Sequence, residues 1–168
     1  MKKIIIVLFV FGIAMQSFAQ VVKDEKLPEV VINISNYKYI HSVNMEDADI
    51  SVELLEQKVA QYDLKNSDVY VDEFNLYNVS FYIPDGYILA AYDGDGKITH
   101  TIEKFKNVKL PSSIMKSVND KYPGWTISKN VYRVNYSQSQ GVIKKYKFTL
   151  ENGDKRIRIK TDGKGNLI

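Results

Sequence analysis

The stretch that decides the fold is Tyr146-Lys147-Phe148-Thr149-Leu150-Glu151-Asn152-Gly153-Asp154-Lys155-Arg156-Ile157-Arg158-Ile159-Lys160. On both sides of Asn152-Gly153, aromatic or aliphatic side chains alternate with polar or charged ones, and asparagine-glycine is typical of a tight hairpin turn. Because successive side chains of a strand point to opposite faces, one face of this hairpin is apolar and the other is cationic. The stretch therefore predicts two antiparallel strands with one buried face.

A helix and a long strand are predicted before this hairpin. The helix begins at Leu110-Pro111, where a proline in the first turn costs no hydrogen bond, and it ends at Pro123-Gly124. Its apolar stripe has helical spacing and consists of Ile114, Met115, Val118 and Tyr122. Strands are predicted at residues 125–136, 142–150 and 155–160, with a short closing strand at 166–168.

The first half of the chain shows a similar order. A helix is predicted at residues 52–62, capped by Asp49 or Ser51. Alternating residues after it predict strands at Val69 and Val71, then at residues 79–83 and 88–92, separated by turns that contain Pro84-Asp85-Gly86 and Asp93-Gly94-Asp95-Gly96. A first strand is predicted earlier, at residues 27–32, and residues 36–40 fit its continuation.

The two halves can be aligned over their turns. Residues 79–86 correspond to residues 146–153, and residues 93–98 correspond to residues 162–167. We therefore predict an α+β fold, a tandem repeat of a helix plus an antiparallel sheet with the helices on one face of the sheet, because neither layer can bury its apolar face alone. The predicted organisation is a signal peptide at residues 1–19, an N-terminal extension with a strand at 20–48, and repeat units at 49–106 and 107–168.

This order of motifs resembles a known family. Leu110-Pro111, Lys121-Tyr122-Pro123-Gly124-Trp125, the 146–154 strand and turn, and Asp162-Gly163-Lys164-Gly165-Asn166 are similar to the PepSY-like domains that are grouped with the β-lactamase-inhibitor proteins. The likeness covers about residues 50–168, and the first unit departs from it because Tyr62-Asp63-Leu64 lacks the proline-glycine that closes the helix. The resemblance implies a tandem α+β fold, a bacterial envelope or secreted location, and no known active site.

The first nineteen residues have the three parts of a secretory signal. Lys2 and Lys3 precede an apolar run at residues 4–14, and the small residues Ser17 and Ala19 follow, so cleavage between Ala19 and Gln20 is predicted. A retained membrane anchor is the competing interpretation, but a spanning helix needs about 20 apolar residues. We expect a periplasmic or secreted protein that does not span the membrane after cleavage.

Charge is divided unevenly along the chain. Residues 20–100 carry fifteen acidic side chains and six lysines, whereas residues 101–168 carry fifteen Lys and Arg and five acidic side chains. Such asymmetry occurs in proteins that offer a basic face to an acidic partner or a membrane surface. It equally fits two oppositely charged halves that attract each other within one domain, with lysines that discourage pairing of exposed strands.

The sequence contains none of the common catalytic or cofactor motifs. The chain has no cysteine, which excludes disulfides, thiolate catalysis and cysteine-ligated metal sites. His41 and His100 are the only histidines, and neither has a second ligand at helical spacing. Asp93-Gly94-Asp95-Gly96 begins like a calcium loop, but Lys97 and Lys104 stand where oxygen ligands are required. We expect no catalytic residue, no metal site and no cofactor.

A nucleotidyltransferase name is sometimes attached to proteins that resemble this one. That chemistry needs paired histidines near a glycine at a helix start, and this chain has no such pair. Neither a Gly-x-Ser-x-Gly elbow nor a glycine-rich phosphate loop is present. The sequence gives that name no support.

The predicted strands place cations on the side of the sheet that faces away from the helix. If Ile157 and Ile159 face the helix, then Arg156, Arg158 and Lys160 point away from it. We predict a binding surface made of Arg133, Lys145, Lys147, Arg156, Arg158 and Lys160. Tyr82 and Tyr136, expected in mobile segments, would add apolar contact. An ordinary solvated face is the competing interpretation.

These features predict an exported, non-catalytic binding module, inhibitor-like in the sense of the resemblance, that contacts a protein of the cell envelope or extracellular space. Nucleic acid is a poor partner, because the protein is exported and the cationic face has few aromatic residues. Two alternatives stay open. The first is a binder of a small ligand or envelope polymer, which would need a pocket. The second is an enzyme that uses a carboxylate pair such as Asp72 and Glu73, although neighbours on a strand point to opposite faces.

Overall fold

The computed structural model describes residues 36–45 and 47–168. The predicted signal peptide, its cleavage between Ala19 and Gln20, and the predicted strand at residues 27–32 lie outside the described residues. The described part has an α+β fold with one six-stranded antiparallel sheet and three helices, which agrees with the predicted class. None of the helices in these ranges is long and apolar enough to cross a membrane.

The strands lie in the sheet in chain order, so each one pairs with its neighbours in sequence. The helices are α1 (Tyr37–Val43), α2 (Ile50–Ala60) and α3 (Ser112–Lys121). The strands are β1 (Leu76–Ile83), β2 (Gly86–Asp93), β3 (Ile98–Lys106), β4 (Thr126–Ser137), β5 (Gly141–Asn152) and β6 (Lys155–Asp162). Helices α1 and α2 precede the sheet, and α3 connects β3 to β4.

One face of the sheet forms the core. Buried side chains alternate along the strands, as the period of two requires. The rings of Phe105, Tyr132, Tyr146 and Phe148 stack in sequence across β3, β4 and β5, with centroids 4.7 to 6.2 Å apart. Burial of rings of this size supplies much of the hydrophobic stabilisation.

Helices α1 and α2 each contact a buried residue of the strands. The ring of Tyr39 in α1 packs edge-on against Tyr136 in β4, with centroids 5.3 Å apart. The hydroxyl of Tyr92 in β2 donates a hydrogen bond to the carbonyl oxygen of Val59 in α2, at 2.8 Å. Helix α2 is capped as predicted, because the carboxylate of Asp49 accepts a hydrogen bond from the backbone N–H of Ser51 at 3.0 Å.

Two turns that the sequence aligned are built in the same way. Asp93 Oδ1 accepts hydrogen bonds from the backbone N–H groups two and four residues later, and so does Asp162 Oδ1. Gly96 and Gly165 occupy the same position in these turns with φ of 78° and 86°. A positive φ of this size favours glycine, which explains the residue at both places.

Residues 36–40 were predicted to continue a strand. Instead, helix α1 begins at Tyr37. Tyr39 and Val43 are both buried and lie four residues apart, which is the spacing of one helical face. The prediction was wrong because β-branched residues before this segment suggested an extended chain. Packing of the Tyr39 side chain on the sheet outweighs that preference.

Other predicted boundaries also need correction. Val69 and Val71 are exposed residues of a segment of turns, not of a strand. Strand β3 was not predicted, and it follows directly after the predicted glycine turn at residues 93–96. The closing strand at residues 166–168 is reduced to a single bridge between Thr161 and Leu167. Met115 is 45% exposed, so it is not part of the buried stripe of α3.

Candidate functional site

The six cations predicted to bind a partner all lie on the face of the sheet opposite the core. Each is exposed, and each alternates along its strand with buried or half-buried side chains. Ile157 and Ile159 lie on the core side, so the predicted direction of the hairpin is the observed one. We call the following set the basic face: Arg133, Lys145, Lys147, Arg156, Arg158 and Lys160.

Strand register places like charges directly opposite each other on the basic face. Arg133 in β4 is opposite Lys145 in β5, and Lys147 in β5 is opposite Lys160 in β6. Opposite residues of antiparallel strands have Cβ atoms about 4.5–5.5 Å apart, and like charges at that separation are destabilising. The arrangement therefore costs the isolated fold free energy that an anionic ligand would recover.

Three further lysines extend the basic face and were not among the predicted site residues. They are Lys104, Lys106 and Lys129. Lys104 is opposite Arg133, so cations occupy three adjacent strands in one row with Lys145. Lys104 and Lys106 were missed because β3 was missed. Their alternation with the buried Glu103 and Phe105 is the signal that could have found them.

Few carboxylates neutralise these cations. Among the described residues, Arg156 is the only member of the basic face with a carboxylate oxygen within 4.0 Å, and its Nη2 lies 2.7 Å from Glu151 Oε1. Both partners are solvent-exposed, so the pair contributes about 0–1 kcal/mol. Asp162 is opposite Lys145, but its carboxylate accepts hydrogen bonds from the turn at Lys164 and Asn166.

A depression of about 450 Å³ lies within the basic face. Four of its cations, Arg133, Lys145, Lys147 and Lys160, line it together with the aliphatic side chains of Val131 and Ile168. Sites for small molecules have volumes of roughly 300–1,000 Å³. The depression is therefore large enough for an anionic group with part of the molecule that carries it.

Exposed apolar residues border the cations on the same face. Leu89 in β2 is opposite Ile102 in β3, and they are 39% and 55% exposed. Tyr82 is 69% exposed, but it lies in strand β1 and not in a mobile segment, so that part of the expectation was wrong. The expectation for Tyr136 was wrong, because it lies in β4, is buried, and packs on Tyr39. The face combines positive charge with accessible apolar surface.

A second cluster, not foreseen, lies on the core side of the sheet. The carboxyl groups of Glu56 in α2 and Glu103 in β3 are 3% and 1% exposed and interact with each other. Glu103 Oε1 accepts hydrogen bonds from the Tyr39 hydroxyl at 2.9 Å and the Thr101 hydroxyl at 2.7 Å. Lys144 is near both carboxyl groups, and its ammonium donates to the backbone oxygen of Val43 at 2.8 Å. We call Glu56 and Glu103 the buried acid pair.

The buried acid pair holds a proton at neutral pH. Burial and the charge of Glu103 raise the pKa of Glu56 to about 9, and burial raises the pKa of Glu103 to about 7. One oxygen of each group, Glu56 Oε1 and Glu103 Oε2, has no other hydrogen-bond donor among the described residues. A protonated Glu56 that donates to an ionised Glu103 accounts for both pKa values, because it is the lower-energy way to bury two acids together.

The buried acid pair does not form a substrate site. The cavity next to Glu56, which Ile40, Asn44 and Glu53 also line, is about 140 Å³. This volume is below the range of small-molecule sites, and Glu103 is almost completely buried. The signal for these residues was weak: Glu56 lies at helical spacing from Val52 and Val59, so it falls on the apolar stripe of α2.

The other candidate residues are scattered. Asp72 and Glu73 are exposed in the segment of turns, and Asp72 accepts a hydrogen bond from the hydroxyl of Tyr70 at 3.0 Å. His41 and His100 are exposed, on α1 and β3. Within residues 36–45 and 47–168, no three His, Cys, Asp or Glu side chains are grouped to hold a metal ion. The basic face is the strongest candidate site.

Comparison with known proteins found no matching family model, no similar curated protein and no similar solved structure.

Proposed function

We propose that this protein is an exported, non-catalytic binding module that docks the acidic surface of a protein partner on its basic face. The observation that carries the proposal is the register of like charges, with Arg133 opposite Lys145 and Lys147 opposite Lys160. A fold gains nothing by holding such pairs together, whereas a partner with complementary charge gains in association rate and in specificity. The apolar row that contains Ile102 adds contact area beside the charges.

The proposal includes the location and the finer architecture. The signal at residues 1–19 supports a periplasmic or secreted protein, and the partner is then a protein of the cell envelope or extracellular space. The matching turns at Asp93 and Asp162 support two PepSY-like units in tandem, similar to the β-lactamase-inhibitor proteins, with the helices on one face of the sheet. The opposite face, whose cations are exposed among the described residues, is then the surface left for a partner.

The experiment is affinity capture from an envelope extract with a charge-reversed variant. Arg156→Glu/Arg158→Glu changes two exposed residues at the edge of the basic face. A matched control, Lys58→Glu/Lys97→Glu, changes the net charge equally at exposed positions elsewhere. We expect the first variant to retain about tenfold less partner, because each rim charge lost weakens association, and the control to retain as much as the wild type.

The interpretation depends on intact folding, which a thermal melt of each variant checks. Equal capture by the wild type and a folded Arg156→Glu/Arg158→Glu variant would contradict the proposal. A captured partner should also be released by raised salt, because interactions between exposed charges are screened. Retention of the partner in high salt, together with insensitivity to the charge reversal, would point to another surface.

A second candidate function, a binder of an envelope ligand or polymer, is favoured by the depression lined by Arg133, Lys145, Lys147 and Lys160. A flat protein-docking face does not need a concave site of this volume. Protease treatment of the extract before capture separates the two functions. A protein partner is destroyed by this treatment, whereas a polymer or small ligand remains.

A further inference from the structure

The depression within the basic face concentrates four cations from three adjacent strands. We infer that it binds a phosphate or sulfate ester through Arg133, Lys145, Lys147 and Lys160, with Val131 and Ile168 against the organic part of the ester. The inference deepens the proposed function, since it names the chemistry taken at the centre of the basic face.

Charge at this position exceeds what the described residues neutralise. Arg133 and Lys145 form one opposed pair, Lys147 and Lys160 form the next, and the two pairs are linked because Lys145 and Lys147 lie two residues apart on one face of β5. Among the described residues, none of these four has a carboxylate oxygen within 4.0 Å. A single compact ligand can therefore contact both pairs at once.

The number and type of donors favour an anion with several oxygens. A carboxylate offers two oxygens in one plane, which suits one arginine or one cationic pair. A phosphate or sulfate group offers three terminal oxygens that point in different directions, and arginine can bind two of them while lysines act as point charges. Four cations around one depression match the second kind of group.

The walls of the depression favour an ester over a free ion. Val131 stands on β4 between the cationic positions, opposite Lys147. The backbone N–H of Ile168 donates to the carbonyl oxygen of Lys160 at 3.1 Å, which holds Ile168 at the depression, on the side of β6. A free ion would leave these aliphatic groups in water, whereas the carbon skeleton of an ester covers them.

The test is a titration of ¹⁵N-labelled protein followed by NMR at constant ionic strength. The probes are inorganic phosphate, glucose 6-phosphate and sodium chloride, and phosphatidylcholine vesicles with and without phosphatidic acid are assayed by sedimentation. We expect saturable shifts of the amides of Arg133, Lys145, Lys147 and Lys160 with both phosphates, with glucose 6-phosphate bound more tightly, and none with chloride. Lys145→Gln/Lys160→Gln should weaken binding by about tenfold or more, since it removes two charge-assisted contacts.

A matched variant on the same face keeps the test specific. Lys104→Gln/Lys106→Gln removes two lysines that do not line the depression, and it should change the affinity by less than about twofold. Equal losses in the two variants, or shifts that do not saturate, would overturn the inference. Binding to phosphatidic acid vesicles without binding to glucose 6-phosphate would also overturn it, because the attraction would then be to a charged surface.

The remaining outcomes identify the source of the ester and separate this inference from the proposed function. Binding of glucose 6-phosphate without binding of phosphatidic acid vesicles supports a soluble ester as the ligand. If the wild type binds both probes and Lys145→Gln/Lys160→Gln binds neither, the result supports lipid headgroups as well. Arg156 and Arg158 do not line the depression, so their reversal should leave ester binding in place. If partner capture depends on Arg156 and Arg158 but the protein binds no ester, only this inference is wrong. If the protein binds the ester but capture does not depend on Arg156 and Arg158, only the proposed function is wrong.

Discussion

Substitution of Glu56 by glutamine should make the stability of the fold much less sensitive to pH. In the wild type, the folded protein keeps a proton on the buried acid pair that the unfolded chain releases above a pKa of about 4.5. Folding therefore becomes less favourable as the pH rises from that value towards 9, where Glu56 ionises in the folded state. Glutamine cannot ionise, and its amide can donate to Glu103 as the protonated carboxyl does.

The size of the effect follows from the number of protons. Each retained proton lowers the free energy of unfolding by about 1.4 kcal/mol per pH unit. The Glu103 carboxyl has a pKa of about 7, so it is half ionised at pH 7 and almost fully ionised at pH 8.5, and over most of this interval the retained proton is the one on Glu56. The wild type should lose about 2 kcal/mol over this interval, equivalent to a fall in Tm of about 4–8 °C. The Glu56→Gln variant should lose little.

Urea unfolding at a series of pH values measures this slope directly. Glu73→Gln is the matched control, because it removes an exposed carboxylate in the segment of turns and should leave the slope unchanged. Stability that stays level or rises from pH 7 to pH 8.5 in the wild type would refute the shared proton. So would a Glu56→Gln variant whose stability falls as steeply as that of the wild type.

Three further changes test how the fold is held together, each by urea unfolding against the wild type. Asn36→Ala should lower the free energy of unfolding by about 2–4 kcal/mol. The buried Asn36 side chain donates hydrogen bonds to two backbone oxygens and accepts one from the backbone N–H of Ile98 at 2.8 Å. An unchanged stability would mean that water replaces these bonds. Gly86→Ala should lower the free energy of unfolding by about 1–3 kcal/mol, since a Cβ there would lie 2.3 Å from Phe105 Cδ1. Gly94→Ala should lower it much less, because a Cβ there would lie 3.6 Å from its nearest atom. Equal losses in the two variants would contradict the packing of Gly86 against Phe105. Asp49→Ala should lower the free energy of unfolding by about 1–2 kcal/mol, because it removes the cap of α2 and the hydrogen bond that the carboxylate accepts from the backbone N–H of Lys109 at 2.7 Å; an unchanged stability would contradict both contributions.

The hairpin and the direction of its side chains could be predicted from local sequence. The 146–160 stretch alternates strictly and contains a turn dipeptide, so β5, β6 and the cationic side of both strands followed from the period of two. Helix α2 and its cap at Asp49 were found for the same kind of reason, since spacing and capping are local properties. The members of the basic face from Arg133 to Lys160 were identified in this way.

Errors arose where burial against a distant residue decides the conformation. Residues 36–40 are helical because Tyr39 packs on Tyr136, a contact between residues far apart in sequence. Val69 and Val71 look like strand residues, yet no strand in the described part of the chain pairs with them, and the segment forms turns. The free-energy difference between helix and strand propensities of a residue is smaller than the contribution of such packing, so packing decides the conformation.

The sequence by itself predicted the export signal, and it determined the turns, the period of each main strand and the cations on one side of the last hairpin. These features depend on neighbouring residues. Only the tertiary structure decided which cations meet. Strand register brings Arg133 to Lys145 and Lys147 to Lys160 around one depression, and helix packing joins Glu56 to Glu103 in the core. Both arrangements need strands and helices from distant parts of the chain, whose alignment is set by the burial of one shared aromatic face.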